Sequence, residues 1–362
     1  MPRSRPHPSH PFLFSLTGIP VWIVFALSIA TAIERNRPSR HVHYVPADGE
    51  TLTVSRKASP KAGNSNKPLA PHSRLTSVED AIAAALPASK AATVVIRAVH
   101  SREFSEAVGT GVIISADGLV LTAGHVVDRP GQRVTVTLAD GEERFGTSLG
   151  ISLWSDAGMV RIDGAENLPF APIAEENQFP DLDEWTFALG HPGGLDEQRG
   201  VVLRVGRILE LDPFTIRSSC KLLGGDSGGP LFDLQGRVIG INSRISQDVD
   251  DNYHVSLAAF QRRWSALKEG RTLGEKEGFV GVVTEDESEH LVIRQVLEHS
   301  AAHEILEVGD FCTHVNGVRV ASGDLFRALV KEHSPGEIVT LDILREGETR
   351  QVELQLGEAP KR

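Results

Sequence analysis

From Ala92 onward the sequence is cut into short β-branched runs, each closed by a turn signal. Thr93–Ala98, Gly111–Ser115, Leu119–Thr122 and Val134–Leu138 read as strands, with Ala116-Asp117-Gly118 and Ala139-Asp140-Gly141 between them. Asp-Gly flanked by β-branched residues is a strong hairpin signal. The pattern continues to Val238–Asn242, and many short strands at close spacing argue for a sandwich or a pair of barrels. The 34 glycines and 20 prolines supply the turn formers such a fold needs. Before these strands, Ser77-Val78-Glu79-Asp80 resembles a helix N-cap, and the helix is expected through Ala81–Leu86, ending near Pro87.

The texture changes after a helical stretch at Ser256–Lys268. Gly278–Val283, Leu291–Val296 and Asp310–Val315 read as strands, Ser300–Ile305 as a short helix, and Asn316-Gly317 as a turn. Asp324–Glu332 reads as an amphipathic helix, and Ile338–Leu344 with Gln351–Leu356 as a hairpin about Glu346-Gly347-Glu348. At 362 residues, two domains and a tail are expected. The boundaries fall at 1–33, 34–75, 76–270 and 275–358.

Pro11–Ile33 carries no charge and is about long enough to cross a bilayer. Arg3 and Arg5 precede it, and Ala30-Thr31-Ala32 resembles a cleavage site, so a signal peptide and a membrane anchor are both open. Either implies export to the cell envelope or beyond. Residues 34–75, rich in Pro, Ser, Asn, Lys and Arg, read as a disordered linker. Ten bases against three acids give a net +7 before residue 76, and the overall net charge is −11, leaving −18 for the remainder. That balance excludes nucleic acid as the main partner, whereas the basic tail suits an anionic membrane surface. Cys220 and Cys312, the two cysteines, fall in different domains and offer no disulfide framework.

One stretch carries chemistry. Gly224-Gly225-Asp226-Ser227-Gly228-Gly229-Pro230-Leu231 sets a serine among glycines, where backbone can turn sharply and approach a substrate closely. Serine needs a base, an orienter and a home for the oxyanion. His125, in Thr122-Ala123-Gly124-His125-Val126-Val127, is the candidate base, and Asp156, in Ser155-Asp156-Ala157-Gly158, the candidate orienter. The N–H groups of Gly225 and Ser227 are the candidate oxyanion hole. The chain order His, Asp, Ser is that of chymotrypsin. The histidines of the second domain, His290, His299, His303, His314 and His333, match no standard ligand spacing, so no metal and no cofactor is expected.

These residues resemble the HtrA (Deg) family of serine endoproteases over residues 77–357. The likeness rests on Gly109–Gly118 leading into Thr122–Val127, on Ser155–Ile162, on Leu189-Gly190-His191-Pro192-Gly193-Gly194-Leu195, and on GDSGGPLFDLQGRVIGIN at Gly225–Asn242. Gly278-Phe279-Val280-Gly281-Val282 and Ser300–Gly317 resemble PDZ signatures. The resemblance implies a mainly β chain: a chymotrypsin-like double β-barrel followed by a small α+β PDZ domain. It implies an endopeptidase acting on unfolded or misfolded exported proteins, periplasmic or envelope-bound, and a homo-oligomer, by family habit a trimer. Phe279, Val280, Gly281, Val282 and Leu329 would bind peptide C-termini, and Ile241 near the pocket suggests cleavage after small or medium aliphatic residues. Asp226 stands where the family has asparagine. Trypsins pair this aspartate with a new N-terminus after activation cleavage, but no Ile-Val-Gly-Gly site occurs here, so its partner is open. Ser218–Gly224 also departs from the family's pattern, and a collapsed oxyanion hole would leave a proteolytically silent, membrane-tethered peptide-binding or chaperone module as the alternative.

Overall fold

Six strands close the first barrel: β1 (Thr93–Val99), β2 (Glu106–Ile113), β3 (Leu119–Ala123), β4 (Arg133–Thr137), β5 (Glu143–Ser152) and β6 (Ala157–Ile162). Their order is β5-β4-β1-β2-β3-β6, and β5 also pairs with β6 to complete the ring. Inward residues Val94, Ile96, Val120, Val136 and Val160 form its core. Gly111 is required there, because a Cβ would sit 2.7 Å from Ile96 Cδ1. The coordinates are a computed structural model describing residues 72–99, 105–175, 178, 180–196, 198–245, 252–287 and 290–359. The expected signal peptide or anchor, and the linker up to residue 71, lie outside the described residues. Among the described residues no helix is long and apolar enough to cross a membrane.

The second barrel comprises β7 (Trp185–Gly190), β8 (Val202–Leu211), β9 (Thr215–Ser218), β10 (Pro230–Phe232), β11 (Val238–Ile245) and β12 (Asn252–Ser256). It closes in the order β10-β11-β12-β9-β8-β7. Phe187 and Phe232 stack in its core with ring centroids 5.0 Å apart. Both barrels therefore match the mainly β expectation. Ile241 does not line an open pocket: it has no exposed surface and is paired between β10 and β12. The aliphatic preference loses its structural basis.

Helix α1 (His72–Ala92) starts earlier than its N-cap signal and runs through Pro87. A proline forfeits one helical hydrogen bond and crowds the preceding turn. Burial of Ile82, Ser89 and Ala92 on either side outweighs that loss, and Thr93 Oγ1 donates to Ser89 O at 2.8 Å to secure the end. A short one-turn helix, α2 (Gly124–Val127), follows β3. The expected Ser256–Lys268 helix divides into α3 (Leu257–Arg262) and α4 (Trp264–Lys268). Strand β13 (Thr272–Leu273) then pairs in parallel with β5, returning the chain to the first barrel.

The second domain holds β14 (Gly278–Phe279), β15 (Val282–Glu287), β16 (His290–Val296), β17 (Phe311–Val315), β18 (Val318–Arg319), helix α5 (Gly323–Lys331), β19 (Ile338–Arg345), β20 (Glu348–Gln355) and β21 (Gly357–Glu358). The sheet runs β15-β16-β17-β19-β20, so β15 is an edge. The expected strand Gly278–Val283 is broken at Val280-Gly281, where Gly281 takes φ +88°. The short helix expected at Ser300–Ile305 is a series of turns instead. Glu304 takes φ +66°, a left-handed conformation that a continuing α-helix cannot accommodate.

Charges join the two domains. Arg262 Nε meets Glu332 at 3.2 Å, while Arg263 and Arg271 reach the two oxygens of Glu337 at 2.8 and 2.7 Å. His333 Nδ1 lies 2.9 Å from Glu337. Burial raises the Glu337 pKa, but bonds and charge from Arg263, then His333 and Arg271, outweigh it and hold the carboxyl at about 2. Cys220 and Cys312 are both free and buried. Burial pushes their thiols up, to about 11 and about 12.

Candidate active site

The register of β3 against β6 brings His125 to Asp156. Ala123 pairs with Ala157 at the last rung, so His125 just after β3 and Asp156 just before β6 lie side by side. Gly124 N–H donates to Asp156 O at 2.7 Å, and His125 N–H donates to Asp156 Oδ1 at 2.9 Å. Asp156 takes φ +63°, an uncommon left-handed conformation that these bonds hold. His125 Nδ1 is 3.1 and 2.9 Å from the two carboxylate oxygens. The Asp156 charge raises the His125 pKa against burial. Burial raises that of Asp156, but the His125 charge and the bonds from His125 and Ser243 outweigh it and hold the carboxyl below its ordinary value.

Ser243 is a member of this group that the sequence reading missed. Its Oγ donates to Asp156 Oδ2 at 2.5 Å. It sits at a β-bulge: Asn242 pairs with His254 and Arg244 with Tyr253, leaving Ser243 as the extra residue. Bulges re-aim a side chain, and here the side chain is turned to the other barrel.

Ser227 arrives from the turn before β10. Thr110 N–H, on β2, donates to Ser227 O at 2.8 Å and ties the Ser227 loop to the first barrel. Gly228, at φ +85°, fits only as glycine, since a Cβ would meet Thr110 O at 2.1 Å. Ser227 Oγ donates to Ser243 O at 3.5 Å and makes no hydrogen bond with His125. Catalytic hydrogen bonds are often long before substrate binds.

The Gly224–Gly225 peptide is anchored by its carbonyl. Gly193 N–H donates to Gly224 O at 2.6 Å. A trans peptide points its N–H opposite its C=O, so this bond aims Gly225 N–H away from the His191–Gly194 turn. Thr110 Oγ1 also donates to Gly225 O at 2.9 Å. Neither Gly225 N–H nor Ser227 N–H meets an acceptor among the described residues. Arg199 Nη2 clamps the turn by donating to Pro192 O at 2.5 Å.

A buried polar chain supports the loop from below. Asn242 Nδ2 donates to Leu189 O and Asp226 O, both at 3.2 Å. Its Oδ1 is therefore the acceptor 2.9 Å from His254 Nδ1. His254 Nε2 in turn lies 2.7 Å from Ser218 Oγ, which accepts from Cys220 N–H at 3.1 Å.

In the second domain, Val280 and Leu329 are buried, at 3% and 2% exposure, while Phe279 and Val282 are half-buried. Helix α5 packs against β14 and β15. Val280 N–H and Gly281 N–H meet no acceptor among the described residues.

A trypsin-like peptidase domain model matches residues 109–241, and a PDZ domain model matches residues 278–356. The DegP-like probable periplasmic serine endoprotease of Halomonas elongata is 31% identical over 280 residues, covering 72% of this chain and 58% of that protein. The one from Ectopseudomonas mendocina is 30% identical over 279 residues, covering 71% and 58%. The chain thus spans 58% of the length of these curated relatives. In fold it is similar to the HtrA-type protease AlgW with tripeptide (TM-score 0.58, 23% identity, 77% of this chain and 98% of that one). It is also similar to a serine endoprotease from Yersinia pestis (TM-score 0.54, 23% identity, 78% and 98%). A trypsin-like peptidase domain followed by a PDZ domain, with DegP-like relatives and HtrA-type neighbours in fold, makes this chain similar to the HtrA (Deg) proteases.

Proposed function

We propose that this chain is an exported serine endopeptidase that cuts unfolded or misfolded proteins through His125, Asp156 and Ser227. The observation that carries the reading is the convergence on Asp156 of three donors, His125 N–H, His125 Nδ1–H and Ser243 Oγ–H, across the barrel junction from the anchored Ser227 loop. His125 Nε2 takes the proton of Ser227 Oγ as that oxygen attacks the scissile carbonyl, then gives it to the leaving amine. Asp156 keeps Nδ1 protonated, which leaves Nε2 free to act as base. Gly225 N–H and Ser227 N–H receive the oxyanion, each contributing on the order of 3 kcal/mol. The anchored Gly224 carbonyl and these two unengaged donors weigh against the silent-module alternative.

The names of the relatives support a periplasmic location. The expected domains, 76–270 for the protease and 275–358 for the PDZ unit, with a signal peptide or anchor over 1–33, belong to the same reading. A peptide C-terminus would add as a strand along edge β15, beside α5, with its carboxylate at the loop Phe279–Val282. Trimer formation and membrane attachment are carried over from the family resemblance and the N-terminal segment respectively.

Treating the full chain with a fluorophosphonate probe and mapping the adduct tests the reading. A single adduct on Ser227, with unfolded casein digested in parallel, is expected. An intact chain that takes no label and leaves casein whole would overturn it. The pH profile is a second check. Because Asp156 raises the His125 pKa and the base must be neutral, kcat/KM should rise with an acid limb centred above the 6.5 of a free imidazole. A midpoint below that value would show that another group limits the rate.

A further inference from the structure

The carboxylate next to the nucleophile has an unexpected partner. Asp226 has no exposed surface. Its Oδ2 accepts from Leu223 N–H at 2.8 Å and lies 2.9 Å from Arg204 Nη2. Its Oδ1 has no hydrogen-bond partner and lies against Gly190, where a Cβ would be only 2.3 Å away. A buried carboxylate without a counter-charge costs several kcal/mol, so this loop conformation depends on a cation. Arg204 sits on β8, paired with Ala188 of β7. From Arg204 onward β8 alternates, with Gly206 and Ile208 buried and Val205, Arg207 and Leu209 exposed. Arg204 is thus on the inward face, and its side chain is 11% exposed.

We infer that Arg204 is a positioning residue for catalysis: its guanidinium supplies, from within the chain, the charge that holds Asp226 and with it the Gly225 and Ser227 N–H groups. The cation that a trypsin obtains from a newly cut N-terminus is here part of a strand of the second barrel. The nucleophile loop is set as the barrel closes, and no processing cut is needed to form it. The inference rests on the endopeptidase reading above.

The test uses the full chain with the fluorophosphonate probe and a fluorescent unfolded casein. Arg204→Met leaves Asp226 unpaired. Its kcat should fall about 100-fold or more, the scale of losing an oxyanion donor, with KM nearly unchanged. Arg204→Lys, which keeps the charge but loses the fork, should fall between. The double variant Arg204→Met/Asp226→Asn removes both charges and carries the residue the family has at 226; its kcat should return to within about tenfold of wild type. A wild-type kcat in Arg204→Met would overturn the inference. So would a loss that the folded double variant fails to reverse, since the arginine would then matter only through packing. Should Arg204→Met not fold, the double variant and Arg204→Lys decide by the same criteria. A wild-type chain that takes no label overturns both readings; a labelled wild type with an equally reactive Arg204→Met overturns this one alone.

Discussion

Exchanging Asp156 for asparagine is expected to lower kcat by about four orders of magnitude while the chain still folds. Asparagine tolerates the φ of +63° at this position, so the backbone is not the reason. Three donors aim at the two oxygens of Asp156: His125 N–H, His125 Nδ1–H and Ser243 Oγ–H. Asparagine has one acceptor oxygen, and its NH₂ group has only donors. Whichever way it turns, a donor faces a donor, unless His125 moves its proton to Nε2 and accepts through Nδ1. That tautomer cannot receive the proton of Ser227. Steady-state cleavage of casein by the two proteins, with thermal melts to verify folding, measures the effect. A loss under about tenfold would mean that Asp156 does not set the His125 tautomer. Ser243→Ala, which removes one of the three donors, should produce a much smaller loss.

Acid is expected to destabilise the protein from just below pH 6.5 downward, through His254. Asn242 Oδ1 can only accept, so His254 carries its proton on Nδ1 and accepts from Ser218 at Nε2. A second proton would face the Ser218 hydroxyl, which already accepts from Cys220 N–H. Burial therefore holds the folded pKa at about 3, against 6.5 for a free imidazole. Above 6.5 both folded and unfolded chains hold His254 neutral. As the pH falls below it, the unfolded chain binds a proton that the folded chain refuses, and stability is lost on the way down. By pH 4 the cost is about 3 kcal/mol. His191, held at about 4 by burial and then by the Arg199 charge, acts in the same direction. Urea titrations between pH 7 and 4 should show His254→Gln weaker at neutral pH but with a distinctly flatter acid slope. Parallel slopes would assign the acid sensitivity to other groups.

The three proposed catalytic residues, His125, Asp156 and Ser227, could be picked out because each lies in a short motif bound to one turn or strand end. Ser243 could not, because its role depends on a bulge that only pairing with β12 creates. Arg204 lay on the readable side of an alternating strand, with Gly206 and Ile208 as its inward neighbours, but alternation alone does not say which buried group an arginine will meet. Ile241 was misread for a related reason. Nearness to the nucleophile in sequence does not tell an inward-facing strand position from a pocket wall. The helix through Pro87 and the turns at Ser300–Ile305 are tertiary outcomes: packing on both sides of a proline in one case, a left-handed Glu304 in the other. The hairpins at Asn316-Gly317 and Glu346-Gly347 could be placed from local chemistry alone. Both pairs adopt positive φ, which the two-residue turns between right-twisted strands demand.

The two buried thiols give this chain a practical property. Burial pushes both thiols up, to about 11 and about 12, which keeps them protonated at neutral pH. Since the thiolate is the reactive form, both native cysteines are expected to stay unlabelled by thiol reagents while the chain is folded. A single cysteine introduced on the rim of β15 or beside Ser227 would carry a dye or spin label without first removing the native ones, so domain motions could be followed in an otherwise unaltered chain.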